Sequence, residues 1–299
     1  MDRLRRLSEF WNWLPAFRAV AETGHLPTAS EQLGVGPSSL SRTIALLESR
    51  VGKPLFDRVG RGIVLNADGE RFLAAVRDSM RRLDDGVSEL RSPELLDPLA
   101  VSTIGGLTDA VLPAIREVQA MHPRLVVHVH RTPPDRVAEA LLQGEIDVAF
   151  LTDPPRENRL AVEALGEASN GVYCGPGHPL HQAAEPSLDE VLEHDFVGPL
   201  AQAVGPRAEL WPPELERRVV LHVGELHAAI DLCRSGELLV VIPDFVARAS
   251  DPNGQLRRLP HDIIEPVTYY AVRRKRLTEA DVRDTMIVHA RDQLARRLG

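Results

Sequence analysis

Polar side chains lie together on one short helix that the sequence predicts near the start of the chain. The helix is predicted to begin at Pro37, a residue suited to the first helical position because its missing N–H would have no partner there. Leu40, Ile44 and Leu47 recur at helical spacing and form one apolar stripe. The other faces carry polar side chains that could hydrogen-bond a partner molecule, and these are Ser38, Ser39, Ser41 and Arg42.

Two pairs of histidines raise the question of a metal site, because imidazole is a common zinc ligand. His128 and His130 alternate along a predicted strand and therefore share a face, and His178 and His181 follow later in the chain. No third ligand accompanies either pair at a suitable spacing, and histidines that bind no metal are much more common. We therefore predict no metal site.

The two cysteines, Cys174 and Cys233, set a second limit on the chemistry. They are too few for a disulfide framework and do not have metal-ligand spacing. A redox switch between them is disfavoured, because cysteine is most often a small buried hydrophobic residue. The pair is consistent with a reducing compartment.

Enzyme motifs are also missing from the sequence. It contains no G-x-S-x-G turn, no P-loop, no G-x-G-x-x-G after a predicted strand and no H-E-x-x-H. We therefore predict that the protein is not an enzyme and that it has no cofactor.

The charge is distributed unevenly along a chain of otherwise ordinary globular composition. Its 299 residues are 43% hydrophobic and 26% charged, with a net charge of −8. Residues 1–66 hold 9 Lys and Arg against 6 Asp and Glu, a net of +3, so the remaining 233 residues carry −11. A basic head on an acidic body would confine a polyanion to one end, because phosphate contacts supply most sequence-independent affinity for DNA.

Neither a membrane span nor a secretion signal is predicted. No stretch approaches the roughly 20 apolar residues that a span needs, and the first residues lack an apolar segment followed by a cleavage site. We therefore expect a cytoplasmic protein with no membrane partner.

The elements around the polar helix are short until residue 66. A first helix is predicted to end at Thr23-Gly24, a second to span about 28–33, and a hairpin to follow around Gly60. A long helix is then predicted from about Asp68 to Leu90, with apolar residues 4, 4, 3, 4 and 3 apart. This spacing is typical of a coiled-coil seam between two chains, although a helix packed on its own domain would show it too. The seam consists of Phe72, Val76, Met80, Leu83, Val87 and Leu90.

Strands and helices alternate in the rest of the chain, which predicts a mainly parallel sheet covered by helices. Predicted strands span 99–104, 125–130, 146–151, 171–174, 238–242 and 267–273. Predicted helices span 108–121, 134–143, 187–193, 225–235 and 279–297.

The segment 16–73 closely resembles the DNA-binding region of LysR-type transcription regulators. Many residues match in register over about 60 positions, which makes the resemblance specific, whereas a lone helix-turn-helix pattern would be weak evidence. The matching residues are Phe17, Ala21-Glu22-Thr23-Gly24, Ala29, Leu33, Leu40-Ser41-Arg42, Ile44, Leu47-Glu48, Gly52, Leu55-Phe56, Arg58, Leu65 and Gly69.

The rest of the chain resembles the effector domain of the same family more loosely. The matching residues are Leu112-Pro113, His122-Pro123, residues 142–149, Gly177-His178-Pro179-Leu180, Gly236 and Ile242-Pro243. The resemblance thus covers nearly the whole chain.

The resemblance implies a fold that is α/β overall. It consists of a winged helix-turn-helix at 1–66, a dimerisation helix and hinge at 67–96, and an effector domain like a periplasmic binding protein at 97–299. Lobe I of that domain would comprise 97–168 and 265–299, and lobe II 169–264, linked by two crossover strands. A homodimer or homotetramer is expected.

The resemblance also implies which residues contact double-stranded DNA. The expected base-facing residues are Pro37, Ser38, Ser41 and Arg42, of which Arg42 best suits a bidentate contact to guanine. The expected phosphate contacts are Thr28, Ser39 and Arg58. The alternatives are that Ser38 and Ser39 serve only the start of the helix, and that Arg42 is a solvated surface arginine.

A small-molecule effector is expected in the cleft between the lobes, beyond the carboxyl ends of the strands. Some of the hydroxyls that follow the strands would instead merely cap helices. The expected cleft residues are Ser102, Thr103, Thr132, Thr152, Gln202, Gly224 and Glu225.

Several positions depart from the family pattern. Gly36-Pro37 replaces the usual Ser-Gln, so the recognition helix lacks both a side-chain cap and a base-reading Gln. Ser30, Asn66 and Leu238 stand where Ala, Thr and Gly are usual, and about ten extra residues with Trp11 and Trp13 precede the usual start.

The sequence thus predicts a sequence-specific DNA-binding transcription regulator under the control of a small molecule. The alternative is a cytoplasmic solute-binding protein without DNA regulation, which the second part of the chain alone would suggest.

Overall fold

The computed structural model describes residues 3–59, 62–90, 98–200, 209–275 and 282–298. The chain divides into two units, Met1–Leu90 and Arg91–Gly299. Within the described residues, no helix is long and apolar enough to cross a membrane.

The first unit is a bundle of helices followed by a hairpin and a long helix. Its elements are α1 (Arg3–Thr23), α2 (Leu26–Leu33), α3 (Pro37–Val51), β1 (Phe56–Val59), β2 (Gly62–Leu65) and α4 (Ala67–Leu90). β1 and β2 pair antiparallel, as predicted for a wing. α2 begins two residues earlier than the sequence predicted, because Pro27 occupies its first turn rather than preceding it.

Aromatic packing holds this unit together. Phe17 of α1 is fully buried, and its ring centroid lies 5.4 Å from that of Phe56 and 5.1 Å from that of Phe72. Gly34 and Gly52 end α2 and α3 with φ of 64° and 81°, a left-handed conformation that glycine adopts without strain. The turn between α2 and α3 is therefore short.

The predicted seam on α4 divides into two parts. Val76 is buried in the core of its own unit, and Phe72 and Met80 pack against that core. Leu83 and Val87 are 57% and 39% exposed. The first half of the seam is thus domain core, Leu83 and Val87 of the second half are exposed, and the Leu90 side chain lies outside what the structure describes.

The second unit contains two five-stranded sheets. Its strands are β3 (Leu99–Thr103), β4 (Val127–His130), β5 (Val148–Leu151), β6 (Leu160–Ala168), β7 (Asn170–Cys174), β8 (Asp195–Pro199), β9 (Arg218–Val223), β10 (Leu239–Pro243), β11 (Arg257–Arg258) and β12 (Val267–Arg274). Its α-helices are α5 (Gly105–Met121), α6 (Val137–Gln143), α7 (Leu188–Leu192), α8 (Leu226–Arg234), α9 (Asp244–Ser250) and α10 (Val282–Leu298).

The two sheets define two lobes. Lobe I is built on the strand order β4-β3-β5-β12-β6, and lobe II on β11-β7-β10-β8-β9. The sequence predicted a mainly parallel arrangement, and this is wrong in part. The pairs β3–β4, β3–β5, β8–β9 and β8–β10 are parallel, but β12 is antiparallel to both its neighbours, and β7 is antiparallel to β10 and β11.

The antiparallel strands follow from the chain crossing between the lobes. β6 leads out of lobe I and continues into β7 of lobe II, and β12 brings the chain back beside β6. β6 itself was not predicted, because apolar and polar residues do not alternate along its sequence LAVEALGEA, and its buried residues are Leu160, Leu165 and Ala168. β8, β9, β11 and α9 were also missed.

Candidate functional site

The first candidate surface is the outer face of α3. Leu40, Ile44 and Leu47 are buried on the inner face, as the stripe predicted. The side chains on the outer face are exposed, and they belong to Pro37, Ser38, Ser39, Ser41 and Arg42. Nε of Arg42 donates a hydrogen bond to the carbonyl of Ser38 at 3.2 Å, which aligns the side chain along the helix. This face is a polar surface on a rigid helix that could enter a groove of DNA.

Thr28 lies on the neighbouring helix α2. Its hydroxyl is exposed and lies 3.0 Å from Nδ1 of His25. His25 was not predicted as a site residue, although Thr28 three residues later, at a helix start, was a signal for a local hydrogen bond. The Arg58 side chain, predicted to contact phosphate, lies outside what the structure describes.

Two departures from the family pattern have a structural explanation. The hydroxyl of Ser30 is nearly buried and donates a hydrogen bond to the carbonyl of Val35, which ties α2 to the turn before α3. Oδ1 of Asn66 accepts from the N–H of Gly69 at 2.9 Å, and its Nδ2 donates to the carbonyl of Pro54 at 3.0 Å. Asn66 therefore caps α4.

Glu48 and Gly69 hold the wing against the helices. Oε1 of Glu48 accepts from the N–H groups of Leu55 and Phe56 at 2.7 and 3.2 Å. A Cβ on Gly69 would lie 2.0 Å from the carbonyl oxygen of Leu55, so only glycine allows this approach. These two motif residues thus fix where the wing begins relative to α3.

The second candidate site is a cleft between the two lobes. It encloses about 650 Å³ of space, including its open mouth. Most of its walls are apolar, and the first turns of α5 and α8 border it. The lining residues are Ile104, Gly105, Gly106, Thr152 and Tyr269 of lobe I, and Val197, Gly198, Pro199, Glu209, Val223, Gly224, Glu225, Leu226, Ala229, Val240, Val241 and Pro243 of lobe II.

The structure brings three of the predicted effector residues into this cleft. These are Thr152, Gly224 and Glu225. Ser102 and Thr132 instead border a smaller cavity within lobe I, which Thr152 also lines, and the hydroxyl of Ser102 accepts from the N–H of Thr132 at 3.1 Å. Gln202 lies outside the described residues.

Thr103 was expected at the cleft, but it lines neither the cleft nor the smaller cavity. Successive side chains along β3 point to opposite faces, so Ser102 and Thr103 cannot both face the same space. Thr103 is 4% exposed, and its hydroxyl has no hydrogen-bond partner within the described part of the chain.

Glu209, the most buried charged residue of the cleft, was not predicted from the sequence. Its carboxylate forms an ion pair with Arg217, and both side chains are largely buried. The guanidinium of Arg217 lies 4.4 Å from the ring centroid of Trp211 and 5.4 Å from that of Phe196. Burial raises the pKa of Glu209, and the charge of Arg217 opposes that rise. No strand or helix pattern in the sequence marked this segment.

Arg131 was also missed, and it links the two lobes. Its Nη1 donates to the carbonyl of Gly224 at 2.5 Å and lies 3.7 Å from Oε1 of Glu225. Close by, a Cβ on Gly105 would lie 3.3 Å from a Leu226 methyl group. The lobes therefore meet at the first turns of α5 and α8.

Other reactive side chains do not form a site in the described residues. Cys174 and Cys233 are buried, and burial raises their pKa values to about 11 and about 12, so few thiolates form near neutral pH. No group of His, Cys, Asp and Glu in the described parts of the chain could hold a metal ion.

A winged helix-turn-helix with an exposed α3, in a chain that also carries a two-lobed binding domain, is the architecture of a ligand-controlled DNA-binding regulator. Residues 11–70 match the family model for bacterial regulatory helix-turn-helix proteins of the lysR family. Residues 99–295 match the model for the LysR substrate binding domain. The chain belongs to the LysR family of transcriptional regulators, which are not enzymes, and this confirms the predicted function and fold class.

Curated relatives of the chain are named as transcriptional regulators. The HTH-type transcriptional regulator YybE of Bacillus subtilis strain 168 is 30% identical over 192 residues, which are 62% of this chain and 65% of the relative. The regulator TtuA of Agrobacterium vitis is 26% identical over 245 residues, 79% of this chain and 80% of the relative.

Solved structures share the fold. Full-length CbnR in complex with its target DNA is 20% identical, with a TM-score of 0.64 over 94% of this chain and 99% of that chain. Full-length OxyR from Pseudomonas aeruginosa is 19% identical, with a TM-score of 0.69 over 94% of this chain and 93% of that chain.

Proposed function

We propose that the chain recognises an operator by placing α3 in the major groove, and that a small molecule in the cleft controls this binding. The exposed polar face of α3, on a helix whose opposite face is buried, is the observation that carries the proposal. The major groove admits one α-helix, and side chains near its N-terminus can reach base edges.

The roles of individual residues are those that the family motif implies for their positions. Base edges are assigned to Ser38, Ser41 and Arg42, with Pro37 packing beside them. Phosphates are assigned to Thr28, Ser39 and Arg58, because contacts at the edge of the interface fix the register without reading the sequence.

The proposed working units are 1–66 for DNA, 67–96 for dimerisation and the hinge, and 97–299 for the effector. Lobe I would comprise 97–168 and 265–299, and lobe II 169–264. Exposed Leu83 and Val87 support pairing of two chains through α4, as a dimer or a tetramer. We assign the protein to the cytoplasm, where a regulator meets its DNA.

Control by the effector requires that it bind one arrangement of the lobes better than another. Thr152, Gly224 and Glu225 come from both lobes and line one cleft, so a molecule bound there would contact both. A change in lobe arrangement would then alter the spacing of paired DNA-binding heads.

A gel-shift titration with the DNA upstream of the protein's own gene tests the proposal. We expect a retarded complex that survives excess unrelated DNA and is lost with excess unlabelled upstream fragment. If excess unrelated DNA abolishes the complex as readily as the upstream fragment does, recognition is not sequence-specific.

A further inference from the structure

The cleft offers a buried acceptor of hydrogen bonds. Among its described lining residues, Glu209 and Glu225 are the ones with a formal charge, and both are acidic. The Glu225 side chain is 79% exposed at the mouth, whereas that of Glu209 is 14% exposed. A ligand inside the cleft therefore meets the Glu209 carboxylate.

Among the described residues, one oxygen of this carboxylate accepts no hydrogen bond. Arg217 donates to Oε2 of Glu209, and no described residue donates to Oε1. A carboxylate can accept about four hydrogen bonds, so the Arg217 contact leaves capacity unused. Arg217 itself does not line the cleft, and its guanidinium packs against the rings of Trp211 and Phe196, which also contact each other.

The remaining surface favours an apolar body. Val197, Val223, Leu226 and Val240 supply hydrocarbon, and Tyr269 adds an aromatic ring. Apolar lining with a few placed polar groups is typical of small-molecule sites, in which the polar groups select the ligand's head group. Arg217 balances the charge of Glu209 but does not line the cleft, so an anionic head group at this place would contact the carboxylate and not the guanidinium, which is unfavourable.

We propose that the cleft binds a small apolar primary amine whose ammonium group donates a hydrogen bond to Oε1 of Glu209, and that it disfavours carboxylates. Thr152 lines the cleft from lobe I and carries a second polar group. This inference rests on the proposed function, in which the cleft is the effector site. A charge-assisted hydrogen bond to a buried carboxylate is stronger than a neutral one.

Three probes of similar shape test the head group. 2-Phenylethylamine, 2-phenylethanol and 3-phenylpropionate are titrated into the full-length protein by calorimetry. We expect the amine to bind about tenfold more tightly than the alcohol, and the acid to bind most weakly. Emission from Trp211 in a Trp11→Phe/Trp13→Phe background reports whether each probe enters near the Glu209–Arg217 pair.

Variants assign the effect to Glu209. Glu209→Gln should weaken amine binding about tenfold and leave alcohol binding nearly unchanged. Glu209→Gln/Arg217→Met removes both charges and should give the same result without leaving an unpaired buried arginine. Glu216→Gln, an exposed substitution next to Arg217, should preserve the preference for the amine.

The outcomes separate this inference from the proposed function. If the acid binds most tightly, if alcohol and amine bind equally, or if Glu209→Gln leaves amine binding unchanged, the ligand class is wrong and the cleft remains a ligand site. If none of the probes binds at millimolar concentration or changes Trp211 emission, the proposed ligand class is also wrong, whereas the gel-shift titration tests the proposed function independently.

Discussion

At the scale of single residues, Arg42 is the side chain best placed to read a base. One N–H of its guanidinium is bonded to the carbonyl of Ser38, and the exposed group has further donors for an acceptor outside the protein. Bidentate contact of arginine with guanine is the commonest specific contact in the major groove.

Arg42→Ala should therefore weaken operator binding by about 1–3 kcal/mol and relax the preference at one base pair, whereas Arg58→Ala should weaken all sequences alike. Gel-shift titrations against the operator and its single-base variants measure both effects. Equal losses that do not depend on sequence would contradict the assignment of Arg42 to a base.

His178 supports a different kind of prediction, about stability and pH. It is 3% exposed in lobe II, and Nδ1 accepts a hydrogen bond from the N–H of Leu180 at 3.2 Å. Burial, together with the charges of the nearby His194 and His181, lowers the pKa of His178 to about 4. The folded state therefore prefers the neutral ring.

A depressed pKa in the folded state means that the unfolded chain binds the proton first as the pH falls. The stability contributed by neutral His178 is present above the unfolded pKa of about 6.5 and is lost as the pH falls towards about 4. His178→Asn keeps an acceptor for Leu180 but cannot take the proton. The free energy of unfolding in urea should then depend less on pH across this window; an unchanged slope would disprove the assignment.

At the scale of elements, the start of α4 depends on one side chain. Asn66 accepts from the N–H of Gly69 and donates to the carbonyl of Pro54, so it joins the helix to the loop before the wing. Losing a helix cap typically costs about 0.5–2 kcal/mol.

Asn66→Ala should lower the free energy of unfolding by about 1–2 kcal/mol, as measured by urea denaturation. Asn66→Asp keeps the acceptor at a helix N-terminus and should recover most of that loss. Ser49→Ala, at an exposed site on α3, is the matched control and should change stability by less than about 0.5 kcal/mol. An effect of Asn66→Ala as small as the control would mean that the cap is unimportant.

At the scale of the whole molecule, α4 serves two purposes along its length. Val76 is buried in its own unit, while Leu83 and Val87 remain exposed. Exposed apolar residues on a helix at heptad spacing are suited to pairing with a second copy of the same helix.

Leu83→Glu/Val87→Glu should give monomers with greatly reduced operator affinity, because a single winged domain reads only one half-site. Light scattering measures the mass, and gel shifts measure the affinity. Ala67→Glu/Ala74→Glu adds the same charge at exposed positions of α4 outside the seam and should leave the oligomer intact. If the Leu83→Glu/Val87→Glu variant keeps its wild-type mass, the chains pair elsewhere.

The sequence by itself determined the helix-turn-helix almost completely. The stripe of Leu40, Ile44 and Leu47 is buried as predicted, and Gly52 ends α3 in a left-handed conformation. These signals are local, because helical periodicity, proline at helix starts and glycine at helix ends act over a few residues.

Only the tertiary structure decided which residues meet over long distances. No clear pattern marked the segment that contains Glu209 and Arg217, and Tyr269 is far from it in sequence. Contact between the lobes brings Glu209 and Tyr269 into one cleft. Periodicity marked Val76 and Leu83 equally, yet one is core and the other exposed, because a helical stripe does not say whether its partner is the same chain or another. The antiparallel β6 and β12 likewise depend on the chain crossing between lobes, which no local signal encodes.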